Sequence, residues 1–284
     1  MGLHTKSILV NLSISRWTAR KLDRKATKEV HENNGAAKDA GRYNKRLISK
    51  EHLKEVESLA GEIRGMFYEM TLPWCDTGSR VLPIKLFSDF RKKEAEYHGK
   101  WNDAVARLVA NYDVAREEAR ERLGDLYDIN EFPAEISDKF AFDVKAYPVP
   151  DSSDFRIAGL DDEDMEEIRK SVAESIKSTE EDTLRDLYNR IKKVAHSVTD
   201  RLAEDREEGK PKIFKNSLIN NISELLGILP GLNISDDENI EELGKRLSEV
   251  SKYSPEELRE DEKKRKSTAE IANDILGNIN SLGF

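Results

Sequence analysis

Cysteine is almost absent from this 284-residue chain; Cys75 is the only one. An intrachain disulfide is therefore impossible, and a reducing compartment such as the cytoplasm is the expected setting. No stretch reaches the roughly 18 consecutive apolar residues of a membrane helix, so no membrane partner is expected. The opening MGLHTKSILVNLSISRW has a short apolar run and no small-residue cleavage site, a poor match to a secretory leader. The five histidines, His4, His31, His52, His98 and His196, never stand four residues apart, and Cys75 has no C-x-x-C partner. Metal-ligand spacing is thus missing, and no metal is expected. The phosphate loop G-x-x-x-x-G-K, the dinucleotide motif G-x-G-x-x-G and the nucleophile elbow G-x-S-x-G are missing too. No cofactor is expected, and with acid, base and electrophile nowhere clustered the chain reads as a non-enzyme.

What is present is charge. Charged residues make up 36% and apolar residues 37%, with a mean hydropathy of −0.70. Average globular chains are nearer half apolar and a quarter charged, so apolar stripes on long, solvent-washed helices fit better than a thick core. The formal net charge of −9 hides a gradient. Residues 1–55 hold 13 basic and 6 acidic side chains, residues 56–160 hold 14 and 20, and residues 161–284 hold 20 and 30. An acidic body repels phosphates over most of the surface but leaves room for a local basic arm.

Residues 7–15, SILVNLSIS, alternate Ile8, Val10, Leu12 and Ile14 at period two, which predicts a strand. Residues 16–46 are basic and polar, with an Asn-Asn-Gly turn signal at 33–35, and read as an exposed arm or loop. Ser49 can cap a helix from Lys50 to Met70. A second helix is expected from Pro83 to Leu123, with Gly124 as its stop; the two make an antiparallel hairpin over 50–123. Residues 140–147 alternate again and predict a strand paired with 7–15, and Phe155–Ile157 a further short one. From Asp161 on, everything reads as helix. Leu184, Leu187, Ile191, Val194, Val198 and Leu202 step by three and four in a heptad-like seam ended by Gly209 and Pro211. Helices over 217–229 and from Asp236 or Asp237 follow. Ser254-Pro255-Glu256-Glu257 opens a last helix ending in Ile271, Ile275, Ile279 and Leu282. The expected fold is mainly α with a small β-sheet (α+β): a 1–160 domain with a helical hairpin on a small antiparallel sheet, then a 161–284 acidic, helical, coiled-coil half.

Two features with chemical potential read as structure. Acidic Asp161–Glu167 lacks the spaced ligands and turning glycine of a calcium loop and suits a helix start. In Trp74-Cys75-Asp76 the neighbouring carboxylate raises a thiol pKa, which argues against a nucleophile. The basic arm is the strongest candidate site. Arg16, Arg20, Lys21, Arg42 and Arg46, interleaved with Trp17 and Tyr43, can track a phosphate backbone and stack a base, or dock on an acidic protein helix. The second candidate is the helical seam Leu184–Leu202 with Ile275 and Ile279. Its narrow apolar stripes invite burial against a second copy of the chain.

Several segments resemble one family. Ser13-Ile14-Ser15-Arg16-Trp17-Thr18, then Leu72-Pro73-Trp74 with Gly78, Arg80, Leu82 and Pro83, are similar to an uncharacterised family encoded mainly by tailed phages and prophages. Leu123–Tyr127, Phe132-Pro133, Phe140-x-Phe142, Pro148-Val149-Pro150 and Asp154-Phe155-Arg156 extend the resemblance over about residues 8–160. It implies no catalytic residue. It does imply an accessory role beside a MoxR-like AAA+ ATPase and a von Willebrand-type adhesion-domain protein, in a host bacterial cytoplasm. The basic stretch Thr18–Tyr43 departs from the shorter pattern of that family.

Three functions follow as expectations: helix-mediated self-assembly that engages an ATPase or host protein, binding or annealing of single-stranded DNA through the basic arm, or inhibition of a host defence complex by the acidic surface.

Overall fold

The computed structural model describes residues 2–74, 78–151, 161–202 and 216–284. It is mainly helical with two small antiparallel sheets. In chain order the elements are α1 (Leu3–Lys6), β1 (Ser7–Ser15), β2 (Arg20–Leu22), α2 (Arg24–Asn34), β3 (Asn44–Arg46) and α3 (Lys50–Glu69). They continue with β4 (Leu72–Pro73), β5 (Ser79–Pro83), α4 (Phe87–Ala110), α5 (Tyr112–Leu123) and β6 (Ala141–Pro148). The last five are α6 (Asp162–Leu202), α7 (Asn216–Leu232), α8 (Glu238–Val250), α9 (Pro255–Glu260) and α10 (Glu262–Ser281).

The larger sheet has the order β4-β5-β1-β6. The expected pairing of β1 with β6 is present, and the connection after α3 supplies two more strands. β5 pairs with β1 from Ser7↔Pro83 to Asn11↔Ser79, placing buried Leu9 opposite buried Val81. Pro83 therefore closes a strand rather than opening a helix. A single 3-10 turn over Ile84–Leu86 follows before α4 begins. The expected helix to Leu123 is also interrupted at Asn111. Its backbone leaves the helical region (φ −100°, ψ 5°), and its side-chain amide donates to the Arg107 carbonyl at 2.8 Å.

The described residues form two compact units. One comprises Met1–Asn11, Tyr68–Phe90 and Ala146–Phe284; the other comprises Leu12–Phe67 and Arg91–Lys145. This is a different division from the expected one at residue 160. The reason is local: the 84–86 turn packs on α7, β4 packs on α6, and Lys6 donates to the Ile234 carbonyl at 2.8 Å and to Asp236 at 2.7 Å.

In the first unit α6 packs against α7, α8 and α10. The expected intermolecular seam is thereby corrected. Leu187, Ile191, Val198, Leu202, Ile275 and Ile279 are buried within the chain, and Leu184 and Val194 are half-buried. Helices that fold back along α6 supply the cover that an isolated amphipathic rod lacks. Each such side chain contributes about 1.5–3 kcal/mol when fully buried. Ala195, Thr179 and Thr183 lie in the same buried row. Arg190 of α6 satisfies the open end of α3: it donates to the carbonyls of Tyr68 (2.9 Å), Glu69 (2.6 Å) and Thr71 (2.7 Å) and pairs with Asp186 at 2.7 Å. A helix leaves its last carbonyls without intrahelical donors, and Arg190 supplies donors at this end of α3.

The expected last helix is two helices. Ser254 and Glu257 form the capping box, but Asp261 takes an extended conformation and its carboxylate accepts from the amides of Lys263 and Lys264, starting α10 afresh. α7 continues through Pro230 to Leu232, and Asp237 caps α8.

The second unit is built on α3, α4 and α5. Leu53, Val56, Ala60 and Ile63 of α3 meet Trp101, Ala104 and Leu108 of α4, Tyr112 and Ala115 of α5, and Phe140 and Phe142. Small residues at 60, 104, 115 and 119 let the backbones approach, and the aromatics fill the remaining volume. The Cys75–Asp76 thiol question, the Phe155–Ile157 strand with its Asp154-Phe155-Arg156 motif, and the Gly209/Pro211 helix stop lie outside the described residues.

Candidate nucleic-acid interface

The basic stretch 16–46 is folded, which corrects the expectation of a loop. Asp23 ends β2 and caps α2, accepting from the Ala26 amide at 2.9 Å. α2 stops where Gly35 adopts φ 59°, with Gly35 and Ala36 amides donating to the Glu32 and His31 carbonyls. The chain then returns as β3, and the Asp23 amide donates to the Tyr43 carbonyl at 2.9 Å.

The motif is anchored at both ends. Ala19 is fully buried with φ 51°, a conformation that side chains other than glycine rarely adopt, and its carbonyl accepts from the Leu47 amide at 2.7 Å. Lys45 is 5% exposed. Its ammonium lies 3.0 Å from Asp23 and 2.7 Å from Glu131, and donates to the Leu126 carbonyl at 2.6 Å. Burial by itself would lower the Lys45 pKa, but the hydrogen bonds it donates to Glu131 and Asp23 outweigh it and the pKa is raised. The Asp23 pKa is lowered by the Ala26 amide first and by Lys45 second.

β2 and β3 pair in the register Arg20↔Arg46, Lys21↔Lys45 and Leu22↔Asn44. Strand alternation therefore places Arg20, Leu22, Asn44 and Arg46 on one face and Lys21 with Lys45 on the other. Two like-charged pairs stand directly opposite each other, an arrangement that costs stability. Lys45 is neutralised; Arg20 and Arg46 have no ion-pair partner among the described residues.

The candidate residues thus separate. Arg20 and Arg46 come together, Arg20 exposed and Arg46 half-exposed. Lys21 is exposed on the opposite face. Arg16 and Arg42 are exposed at the entry and exit of the motif. Trp17 is not free to stack a base: it packs on the core and meets the Tyr112 ring edge-on at 6.2 Å. Tyr43 remains 42% exposed. Residue-type reading missed Arg122, in the last turn of α5, whose guanidinium donates to the Arg46 carbonyl at 2.6 Å. Only its basic position at a helix end hinted at it, and such positions ordinarily serve the helix dipole.

Elsewhere in this unit one groove sets cations among acids. The groove between α3 and α4 holds Lys54, Lys100 and Arg107 among Glu51, Glu55, Glu62 and Asp103. Arg107 pairs there with Glu55 at 2.6 Å, and this hydrogen bond holds the Glu55 carboxyl below its usual range. Of the acidic segment at 161–167, Asp161 caps α6 by accepting from the Asp164 amide at 2.8 Å. Among the described residues no three or more His, Cys, Asp or Glu side chains converge as metal ligands, and no helix is long and apolar enough to cross a membrane. In comparisons with known proteins, no family model, no curated protein and no solved structure matches the chain.

Proposed function

We propose that this chain is a non-enzymatic module that binds single-stranded nucleic acid through the β2–α2–β3 motif. The carrying observation is Arg20 standing across from Arg46 with no carboxylate among the described residues to neutralise either. A hairpin under pressure for stability alone would place opposite charges there. Residues 16–46 hold ten basic and four acidic side chains inside a chain of net charge −9. Such an island attracts phosphates locally while the rest of the surface limits unspecific coating. Tyr43 supplies one exposed aromatic face for an unpaired base. Self-assembly through the α6 seam is set aside, because those side chains are enclosed by their own chain.

The reading is tested by Arg20→Glu. The new carboxylate faces Arg46, so the hairpin gains a favourable pair of roughly 0.2–1 kcal/mol. Thermal stability is expected to hold or rise while affinity for a labelled single-stranded oligonucleotide falls about tenfold at low salt. Unchanged affinity in a stable Arg20→Glu protein contradicts the reading.

A further inference from the structure

We infer that Arg20, Arg46 and Arg122 form one oxyanion notch that seats a single phosphodiester group, with Arg122 as the member that fixes its position; this inference rests on the nucleic-acid reading above. Three observations meet here. The β2–β3 register sets the α-carbons of Arg20 and Arg46 opposite each other, with both side chains on one face. At such positions the α-carbons are about 4.5–5.5 Å apart. One Arg122 donor is committed to the Arg46 carbonyl at 2.6 Å, which ties the guanidinium of α5 to the same strand residue. No ion pair joins any of the three to a carboxylate among the described residues, so none of their charge is committed to an acidic side chain there.

Geometry and chemistry then agree on the ligand class. A guanidinium presents five N–H donors in a rigid fork, so Arg122 retains donors after serving the carbonyl. Planar forks match phosphate oxygens in pairs, which ammonium groups cannot do. The three side chains come from two strands and a helix, so the notch exists only in the folded unit. Contact of this kind is to the phosphate and carries no base preference. The notch therefore predicts sequence-tolerant binding.

The test follows the arginine side-chain Nε–H resonances of the full chain while inorganic phosphate, and separately an oligothymidylate, is added. Arg20, Arg46 and Arg122 are expected to shift together with the oligonucleotide. Arg122→Gln is expected to weaken oligonucleotide binding about fivefold and to flatten the dependence of log K on log salt by at most about 0.7, the share of one single-strand phosphate. Arg122→Lys, which keeps the charge and the bond to the Arg46 carbonyl, should restore the salt slope but only part of the affinity. If Arg122→Gln binds like the wild type while Arg20→Gln does not, the notch is wrong and the nucleic-acid reading stands. If inorganic phosphate shifts all three resonances and no oligonucleotide binds, the notch stands as a site for free phosphate and the nucleic-acid reading falls. Three resonances unmoved by either probe overturn both.

Discussion

Single residues carry the stability of the candidate face. Lys45 lies between Asp23 and Glu131. Removing a buried charge strands its partners, so Lys45→Met should cost about 3 kcal/mol in urea unfolding, more than truncation of exposed Lys21. The pH dependence follows from the directions of the shifts. The lowered Asp23 pKa contributes stability that is fully present above the unfolded value of about 3.9 and is lost as pH falls through the folded value. The raised Lys45 pKa contributes stability that is fully present below the unfolded value of about 10.4 and is lost as pH rises through the folded value. The wild type should therefore lose stability at both extremes, and Lys45→Met should show a shallower alkaline limb. A wild-type curve unchanged between mildly alkaline pH and the folded Lys45 value would contradict this. Away from that face, Gly231 is a position where a single residue decides the packing. A methyl group there would fall 2.4 Å from the Leu86 side chain, which is itself 5% exposed and cannot swing into solvent freely. Gly231→Ala should cost about 1–3 kcal/mol as overpacking, and Leu86→Ala in the same chain should cost less in that background than alone. Additive costs in a thermal-melt double-mutant cycle would contradict the close approach.

At the scale of elements, periodicity was legible and its interruptions were not. The stripe on α6 reads directly from Leu184 to Leu202, because a helix repeats every 3.6 residues whatever covers it. What covers it does not appear in the stripe: the same spacing serves a second copy of the chain or helices returning from the same one. The break between α9 and α10 rests on one carboxylate, that of Asp261, choosing amides ahead of it over a place in a continuous helix. Asp is an ordinary residue in a solvent-exposed helix, so its identity gave no warning. β4 and β5 hid in a connection with two prolines, since two- and five-residue strands are too short for alternation to register. The basic motif hid for a related reason: β2 and β3 are three residues each and charged, and only their register turns scattered cations into a face. Since the α6 seam is internal, Ile191→Ala should destabilise the chain by about 2–5 kcal/mol as a core cavity. Its sedimentation mass should equal that of the wild type. A smaller mass for the variant, with stability intact, would return the seam to an intermolecular role.

Across the whole molecule, charge is divided by sign along the chain. The C-terminal 124 residues carry 20 basic and 30 acidic side chains, and residues 16–46 carry the excess of cations. From Leu187 to Leu202 the apolar row of α6 is mostly buried within the chain, and the charged side chains of the helix lie largely on its exposed positions. The central claim is that the arginine face is held unneutralised in order to meet phosphate. Its most direct measurement is the affinity of the wild-type chain for a labelled single-stranded oligonucleotide across a salt series. The expected result is a linear fall of log K with log salt, with a slope of about −1.4 or steeper, corresponding to at least two phosphates. No binding at the lowest salt, or binding indifferent to salt, would contradict it.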